Sequence, residues 1–203
     1  EVYAQAAAGN LDLEERVPLL AEDQAGGSGL LRDLRPGLQP TLRDLAMLMI
    51  VVSDNSATNM LLDRVGGPAA VNDAMRAMGL PSIVVNRRLF FSAAPRGPVA
   101  LAAPLDLMRL ATMMAEGQLV SLEASREMRE IMVRQRHHDQ FPRYLALMPY
   151  AGDNEQPQAI RLLNKTGAIG GLRADVGVVQ TGREHAIAFS VVCDTGPDET
   201  YRT

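Results

Sequence analysis

Apolar residues recur at helical spacing through most of the first 135 positions of this 203-residue chain. The clearest stretch starts at Thr41, a residue type that caps helices, and continues through an apolar face to Val52. Residues 1–8 have the pattern of a helix that stops at Gly9. Further helices are predicted at 56–65, 68–78, 104–116 and 121–135. The pattern therefore predicts a helical part that covers roughly residues 1–157.

The spacing changes near the end of the chain from helical to alternating. Residues 159–164, 174–181 and 186–194 read as short strands that are separated by turn-forming residues, including Gly170-Gly171. Helices followed by an antiparallel sheet are typical of an α+β protein. We expect a single domain over residues 1–203, with its sheet at about 158–195, and a long loop at 86–103.

Composition narrows the possible functions. A net charge of −4 gives no electrostatic reason to bind nucleic acid or an anionic membrane. The longest apolar runs, 45–52 and 186–193, are too short to span a bilayer. Cys193 is the only cysteine, which excludes an internal disulfide, and its apolar neighbours predict a buried side chain.

Two polar triplets stand out from this background. Ser53-Asp54-Asn55 lies where one predicted helix ends and the next begins, a place where such residues ordinarily serve as caps. About 110 residues later, Lys165-Thr166-Gly167 lies on a predicted strand. Lys165 is the only lysine among 20 basic residues. Because a lysine pKa is tunable whereas arginine stays charged, this placement favours a functional site.

Together the two triplets resemble those of class A β-lactamases and penicillin-binding proteins. Residues 27–31, 41–45, 53–59 and 103–107 also resemble this group of serine hydrolases, so the similarity covers essentially the whole chain. The resemblance implies a β-lactamase-like fold and acyl transfer through a serine ester. It implies no metal or organic cofactor and a small-molecule partner, either a β-lactam or an acyl-peptide-like compound.

The resemblance also implies a role for each matching residue. Ser53 would pass a proton to the leaving nitrogen, and the Lys165 ammonium would converge with its hydroxyl in one cleft. Asp54 and Asn59 would be buried residues that organise the site. The substrate would be held by the Asn55 amide, the Thr166 hydroxyl, the close approach that Gly167 permits and the backbone N–H of Ala168. A surface salt bridge is the favoured role of Arg173, and a second carboxylate contact is the alternative.

Two departures from the family pattern qualify this interpretation. The Ser-x-x-Lys motif, which carries the family's nucleophile, is absent. We therefore expect a piece of a longer protein, lacking N-terminal strands and a helix as well as a C-terminal helix, and inactive by itself. In addition, no Asp or Glu occurs between Asp73 and Asp106, where the lactamases carry a deacylating base; Asn86, Arg87 and Arg88 occur there instead.

Several alternatives remain open from the sequence. The intact protein could be a slow lactamase, a penicillin-binding or peptidase-like enzyme, or an esterase. In a non-catalytic helical binding domain both triplets would be only caps and turns. Because adjacent residues point to different faces of a helix, exposed loop residues are favoured over a metal site for His137 and His138. The resemblance implies a periplasmic or secreted location, and the intact protein is expected to be a monomer.

Overall fold

The computed structural model describes residues 1–89, 97–145, 160–181 and 185–194. The chain forms two compact units, Glu1–Asp106 and Leu107–Thr203, and each is described by itself. Their secondary structure combines helices with a small antiparallel sheet, so the predicted α+β class is confirmed. The single-domain boundaries stay a prediction. No helix among the described residues is both long and apolar enough to cross a membrane.

The first unit is mainly helical. Its helices are α1 (Val2–Ala7), α2 (Leu42–Val51), α3 (Asn55–Arg64) and α4 (Gly67–Ala77), and α5 (Pro104–Ala115) begins at its end. Single 3-10 turns lie at Ala21–Asp23 and Leu31–Asp33. Buried leucines from α2, α3 and the connecting segments form its core, among them Leu19, Leu42, Leu45 and Leu61.

Helix α2 shows how local sequence sets an element. The Thr41 hydroxyl accepts a hydrogen bond from the Asp44 N–H at 3.0 Å, and the Asp44 carboxylate accepts one from the Thr41 N–H at 2.9 Å. This capping box fixes the first turn, and the apolar face then packs into the core. The helix that was predicted from Thr41 to Val52 is confirmed.

Other boundaries differ from the sequence prediction. Helix α3 begins one residue before the predicted Ser56, because Asp54 is its cap. The predicted loop at 86–103 contains strand β2 (Ala100–Leu101), which pairs with β1 (Val84–Val85). A two-residue strand has too little periodicity to be recognised, and its hydrogen bonds come from a distant partner.

The second unit carries the larger sheet. Helix α6 (Leu122–Met132) is capped by Ser121 and is followed by a 3-10 turn at Phe141–Tyr144. Strands β3 (Ile160–Ile169), β4 (Leu172–Thr181) and β5 (His185–Asp194) pair antiparallel in the order β3-β4-β5. Among the described strands β3 therefore forms one edge of the sheet.

The sheet corrects two expectations. Strand β3 continues five residues past the predicted end at Asn164, so residues 165–167 lie inside a regular strand. Cys193 was expected to be buried, but it is exposed. It lies near the end of β5, the outer strand of this sheet in the described part of the chain. Apolar neighbours in the sequence therefore do not determine whether another element packs over this side chain.

Candidate active site

The first group of candidate residues lies at the sharp turn between α2 and α3. Ser53 has a backbone φ of 55°, in the left-handed region that non-glycine residues seldom occupy. The Asp54 N–H donates to the Leu48 carbonyl at 3.1 Å, and the Ser28 hydroxyl donates to the Ser53 carbonyl at 2.9 Å. These bonds hold Ser53 in a conformation that costs about 1–3 kcal/mol, and such strain is concentrated at functional sites.

Asp54 links this turn to a neighbouring loop. The carboxylate is fully buried and accepts the Ala57 N–H at 2.9 Å, which caps α3. Its other oxygen accepts the N–H groups of Leu30 and Leu31 at 2.6 and 2.9 Å. A Cβ on Gly29, whose φ is +113°, would lie 2.6 Å from the Asp54 Cα. Glycine at position 29 is therefore part of what fixes the turn.

Asn55 and Ser56 complete the connection to that loop. The Asn55 side-chain amide donates to the Gly26 carbonyl at 2.8 Å, and its backbone N–H donates to the Ser28 carbonyl at 3.1 Å. The Ala25 N–H donates to the Ser56 hydroxyl at 2.9 Å. Asn55 is 7% exposed. Because an amide carries two N–H groups, one can hold the loop while the other serves a ligand.

Asn59 binds the segment that follows strand β1. Its side-chain oxygen accepts the Leu89 N–H at 2.8 Å, and its amide donates to the Leu89 carbonyl at 2.9 Å. The guanidinium of Arg88, the residue before Leu89, lies 2.9 Å from the Asp63 carboxylate and 3.5 Å from the Asp23 carboxylate. One buried amide and one arginine thus fix the chain just before residues 90–96, which lie outside the described part of the chain.

The second group of candidate residues lies on strand β3 in the second unit. The Lys165 ammonium donates to the Thr166 carbonyl at 2.7 Å. Burial lowers the pKa of Lys165 to about 8, and the Asp175 carboxylate opposes this shift. Thr166 lies directly opposite Asp175 on β4, and Gly167 lies opposite Ala174. Lys165 is therefore an ammonium group that gives up its proton only a little above neutral pH.

Asp175 is a buried acid that sequence reasoning missed. It is 3% exposed and accepts a hydrogen bond from the Asn164 amide at 2.8 Å. Burial raises the pKa of Asp175 to about 6, although the Asn164 amide, the Phe141 backbone and the Lys165 charge favour its ionised form. A single carboxylate inside the apolar run 174–179 was the signal that could have identified it.

A segment after α6 packs against this strand. The side chains of Gln135 and Gln140 donate to the carbonyls of Asn164 and Gly167, at 3.4 and 3.2 Å. The Phe141 and Phe189 rings stack with centroids 4.1 Å apart. A cavity of about 300 Å³ lies here, lined by polar and apolar residues that include Asp139, Arg143, Arg173, Asp175, Val191 and Cys193.

Arg173 holds the end of the hairpin. Its guanidinium donates to the carbonyls of Gly170 and Leu172, at 2.9 and 2.8 Å. Gly170 lies in the turn between β3 and β4, and Leu172 is the first residue of β4. A second carboxylate contact for Arg173 stays a prediction.

The sequence-predicted site residues thus form two local sets. Ser53, Asp54, Asn55 and Asn59 belong to the first unit, where the α2–α3 junction brings them together. The four residues 165–168 are consecutive on β3 in the second unit. The convergence of the Ser53 hydroxyl with the Lys165 ammonium, and the individual roles, stay predictions.

Comparison with known proteins gives a family for this chain. Residues 1–202 match the model of the beta-lactamase enzyme family. A solved β-lactamase from Sphaerobacter thermophilus is 34% identical, with a TM-score of 0.84 over 97% of this chain and 71% of that one. A mutant of PBP-A, solved as an acyl-enzyme complex with penicillin G, is 25% identical, with a TM-score of 0.81 over 97% of this chain and 69% of that one.

Curated relatives match over shorter segments. β-Lactamase L2 of Stenotrophomonas maltophilia is 39% identical over 67 residues, which are 33% of this chain and 22% of that protein. A β-lactamase of Rhodobacter capsulatus is 29% identical over 136 residues, 64% of this chain and 45% of that protein. The match thus spans less than half the length of either relative. On the family match over residues 1–202, the chain belongs to the beta-lactamase enzyme family, within the β-lactamase-like serine hydrolases.

Proposed function

We propose that the complete protein is a serine hydrolase that opens β-lactams or related amides through a serine acyl-enzyme. The supporting observation is that a chain of this family keeps both polar triplets in suitable places. Residues 53–55 form a strained helix start, and residues 165–167 lie on an edge strand of the described sheet. Both places bring polar groups to fixed positions, which acyl transfer requires.

In the proposed reaction a serine hydroxyl loses its proton to a base, its oxygen attacks the amide carbonyl, and the bond to nitrogen then breaks. Ser53 passes a proton to the departing nitrogen, and the positive charge of Lys165 favours release of that proton. The Ser-x-x-Lys motif that supplies the attacking serine is absent from these 203 residues. The proposal therefore assigns the nucleophile to a part of the protein outside this sequence.

Substrate binding is assigned to the remaining matched residues. The second N–H of Asn55 would donate to the acylamide side chain, and the Thr166 hydroxyl would bind the substrate carboxylate. The Ala168 N–H would contribute to the oxyanion site. An added Cβ at Gly167 would make only an ordinary 3.5 Å contact with Ala174. Packing within the sheet therefore does not require glycine there, and an approaching substrate would explain it.

A second candidate is a penicillin-binding, peptidase-like or esterase-like enzyme that deacylates slowly. The observation that favours it is the absence of Asp and Glu from residues 74–105. An acyl-enzyme then has no carboxylate from that segment to activate water. The similarity to PBP-A, which was solved as an acyl-enzyme, also supports this candidate.

The test uses the protein expressed from its complete reading frame, mixed with a fluorescent penicillin and a chromogenic cephalosporin. Rapid colour development supports lactamase activity, and a stable fluorescent band with little colour supports slow deacylation. Ser53→Ala should abolish either signal, whereas Ser121→Ala, which removes an exposed helix cap, should not. If the wild type gives neither signal, the proposal is rejected, and an esterase or a non-catalytic binding domain remains.

The setting of the reaction follows from the same proposal. We place the protein in the periplasm or outside the cell, acting as a monomer on a small molecule. Cell fractionation with an antibody to the chain tests the location, and a purely cytoplasmic signal contradicts it. Sedimentation of the complete protein tests the oligomeric state.

A further inference from the structure

We propose that the buried pair Asn164 and Asp175 positions Lys165 and Thr166 for the reaction. The role rests on the proposed function, because positioning has meaning only where those two residues act on a substrate. Neither member of the pair needs to touch the substrate. The pair would act through the orientation of β3, the strand that carries Asn164, Lys165 and Thr166.

The hydrogen bond of this pair crosses from one strand to the next. Asn164 is fully buried, Asp175 is 3% exposed, and the bond between them is 2.8 Å long. Asn164 lies opposite Gly177, whereas Asp175 lies opposite Thr166. Since alternate residues of a strand share a face, Asn164, Thr166 and Asp175 lie on one face and Lys165 on the other. The bond thus runs diagonally beside Thr166.

Gly177 allows the two strands to approach closely at this point. A Cβ at position 177 would lie 2.8 Å from the Asn164 Cα and would also meet the Leu163 carbonyl. Any larger residue would push β4 away from β3 at Asn164. The asparagine–aspartate bond and this glycine therefore set the same local geometry.

Two glutamines hold the segment from outside the sheet. Gln135 donates to the Asn164 carbonyl and Gln140 donates to the Gly167 carbonyl, the residues on either side of Lys165 and Thr166. The oxygen of Gln135 also accepts the N–H groups of Arg136 and His137, at 2.8 and 3.0 Å, which orients its amide. The strand segment that contains Lys165 and Thr166 is therefore held at both ends.

The physical reason for a positioning role is the cost of leaving buried polar groups with fewer partners. If Asn164 is removed, Asp175 keeps the Phe141 backbone hydrogen bond but loses the amide donor, and if Asp175 is removed, the buried Asn164 amide loses this acceptor, which is costly. Strand β3 then relieves that cost by shifting. A displacement of about 1 Å in a group that contacts substrate can lower a rate by about a hundredfold.

Charged groups around the pair determine how it is tested. Lys165 and Asp139 both influence Asp175, and Arg143 and Arg173 line the same cavity. Removing the charge of Asp175 therefore changes the titration of Lys165, whereas removing only its hydrogen bond changes position. Two kinds of substitution separate these effects.

Three variants change the pair, and a fourth variant serves as the control. Asn164→Leu removes the donor, and Asn164→Ser replaces the amide by a shorter hydroxyl group in case the leucine variant does not fold. Asp175→Asn keeps an oxygen that accepts from Asn164 but removes the charge. Ser125→Ala is the matched control, because Ser125 is also fully buried and hydrogen-bonded, to Leu119, in the same unit.

The first readout is the rate of acylation of the complete protein by a fluorescent penicillin. We expect Asn164→Leu or Asn164→Ser to lower it about tenfold to a hundredfold, mainly in the maximal rate and not in the half-saturating concentration. Asp175→Asn should stay within about threefold of wild type, because a neutral hydrogen bond replaces a charge-assisted one. Ser125→Ala should leave it unchanged.

The second readout does not need a substrate. In the complete protein labelled with ¹³C-lysine, the Lys165 side-chain signal is the one that is lost in Lys165→Met, and its titration reports Lys165. We expect Asn164→Ser to change the chemical shift of this signal and to speed amide exchange at Lys165 and Thr166. Asp175→Asn should lower its titration midpoint, because a negative charge that favours the ammonium is gone.

The two readouts distinguish failure of this inference from failure of the proposed function. If wild type is acylated and both Asn164 variants react at the wild-type rate, the positioning role is wrong. If wild type is never acylated, the proposed function is wrong. The substrate-free readout then still applies. If the Lys165 signal and the amide exchange of Asn164→Ser match those of wild type, the pair has no effect on the strand.

Discussion

The α2–α3 junction around Ser53 and the strand segment 165–167 are held in place by different kinds of interaction. At the junction one carboxylate, Asp54, accepts three backbone N–H groups, and neighbouring residues bind the same loop. In the strand the backbone follows the sheet, and the Asn164–Asp175 bond and two glutamines add to it. The junction depends on one buried side chain that accepts three backbone N–H groups, whereas the strand depends on several separate contacts.

This difference predicts which substitutions each of the two residue groups tolerates. Three backbone donors lose their acceptor together if Asp54 is lost, so the junction should fail as a unit. In the strand the ladder hydrogen bonds survive the loss of any one side chain. We therefore expect stability effects to dominate at the junction and effects on titration or rate to dominate in the strand.

The largest effect is expected for Asp54→Ala. The substitution leaves the N–H groups of Leu30, Leu31 and Ala57 without their acceptor, and we expect a loss of about 4 kcal/mol in the free energy of unfolding. Urea denaturation followed by circular dichroism measures it. Ser121→Ala, which removes an exposed cap with one N–H, should lose only about 1 kcal/mol. Equal losses would contradict the special role of the buried Asp54 side chain.

Gly29→Ala tests the close approach of the loop to Asp54. Its Cβ would lie 2.6 Å from the Asp54 Cα, so the loop must move, and we expect a loss of about 3 kcal/mol. Gly37→Ala is the matched control, because Gly37 also has a positive φ but has no atom within 4 Å of an added Cβ. Backbone strain alone should cost that variant about 1 kcal/mol. Thermal unfolding of both variants gives the difference, and no difference would remove the steric argument.

The buried charge of Lys165 predicts a stability change with pH. The folded-state pKa is about 8 and the ordinary value is 10.5, so the unfolded chain binds more protons between these values. The cost of burying the charged ammonium is fully present below pH 8. The free energy of unfolding should therefore rise as the pH increases from 8 to 10.5. We expect about 1–2 kcal/mol, allowing for partial exposure of the side chain.

Urea denaturation at pH 7.5 and pH 10 measures this change. Tyrosines also titrate in this range, so the comparison is made with Lys165→Met, which removes only the lysine contribution. The difference between wild type and variant should shrink as the pH rises. A constant difference would show that the lysine pKa is not lowered in the folded chain.

The smallest stability effect is expected for Gly167→Ala. The added methyl group makes only an ordinary contact with Ala174, so the free energy of unfolding should change by less than about 0.5 kcal/mol. Penicillin acylation of the complete protein should nevertheless fall if the substrate lies against this strand. Gly177→Ala provides the contrast, because its methyl group meets the Asn164 backbone and should destabilise the sheet. Unchanged acylation in Gly167→Ala would contradict substrate binding at that position.

The sequence by itself determined the elements whose signals are local. Thr41 and Ser121 start helices with side-chain caps, and periodic apolar residues extend those helices. Ser53-Asp54-Asn55 and Lys165-Thr166-Gly167 could be located because each motif is contiguous. Helix capping and hydrophobic periodicity act over a few residues, so they can be identified without knowing the fold.

Features that join distant residues could be read only from the structure. Asp175 pairs with Asn164 across neighbouring strands, Asn59 binds Leu89, and β3 continues to Ile169. Cys193 is also exposed despite its apolar neighbours. Burial and hydrogen-bond partners depend on which segments meet in space, and that information is absent from any short window of the chain.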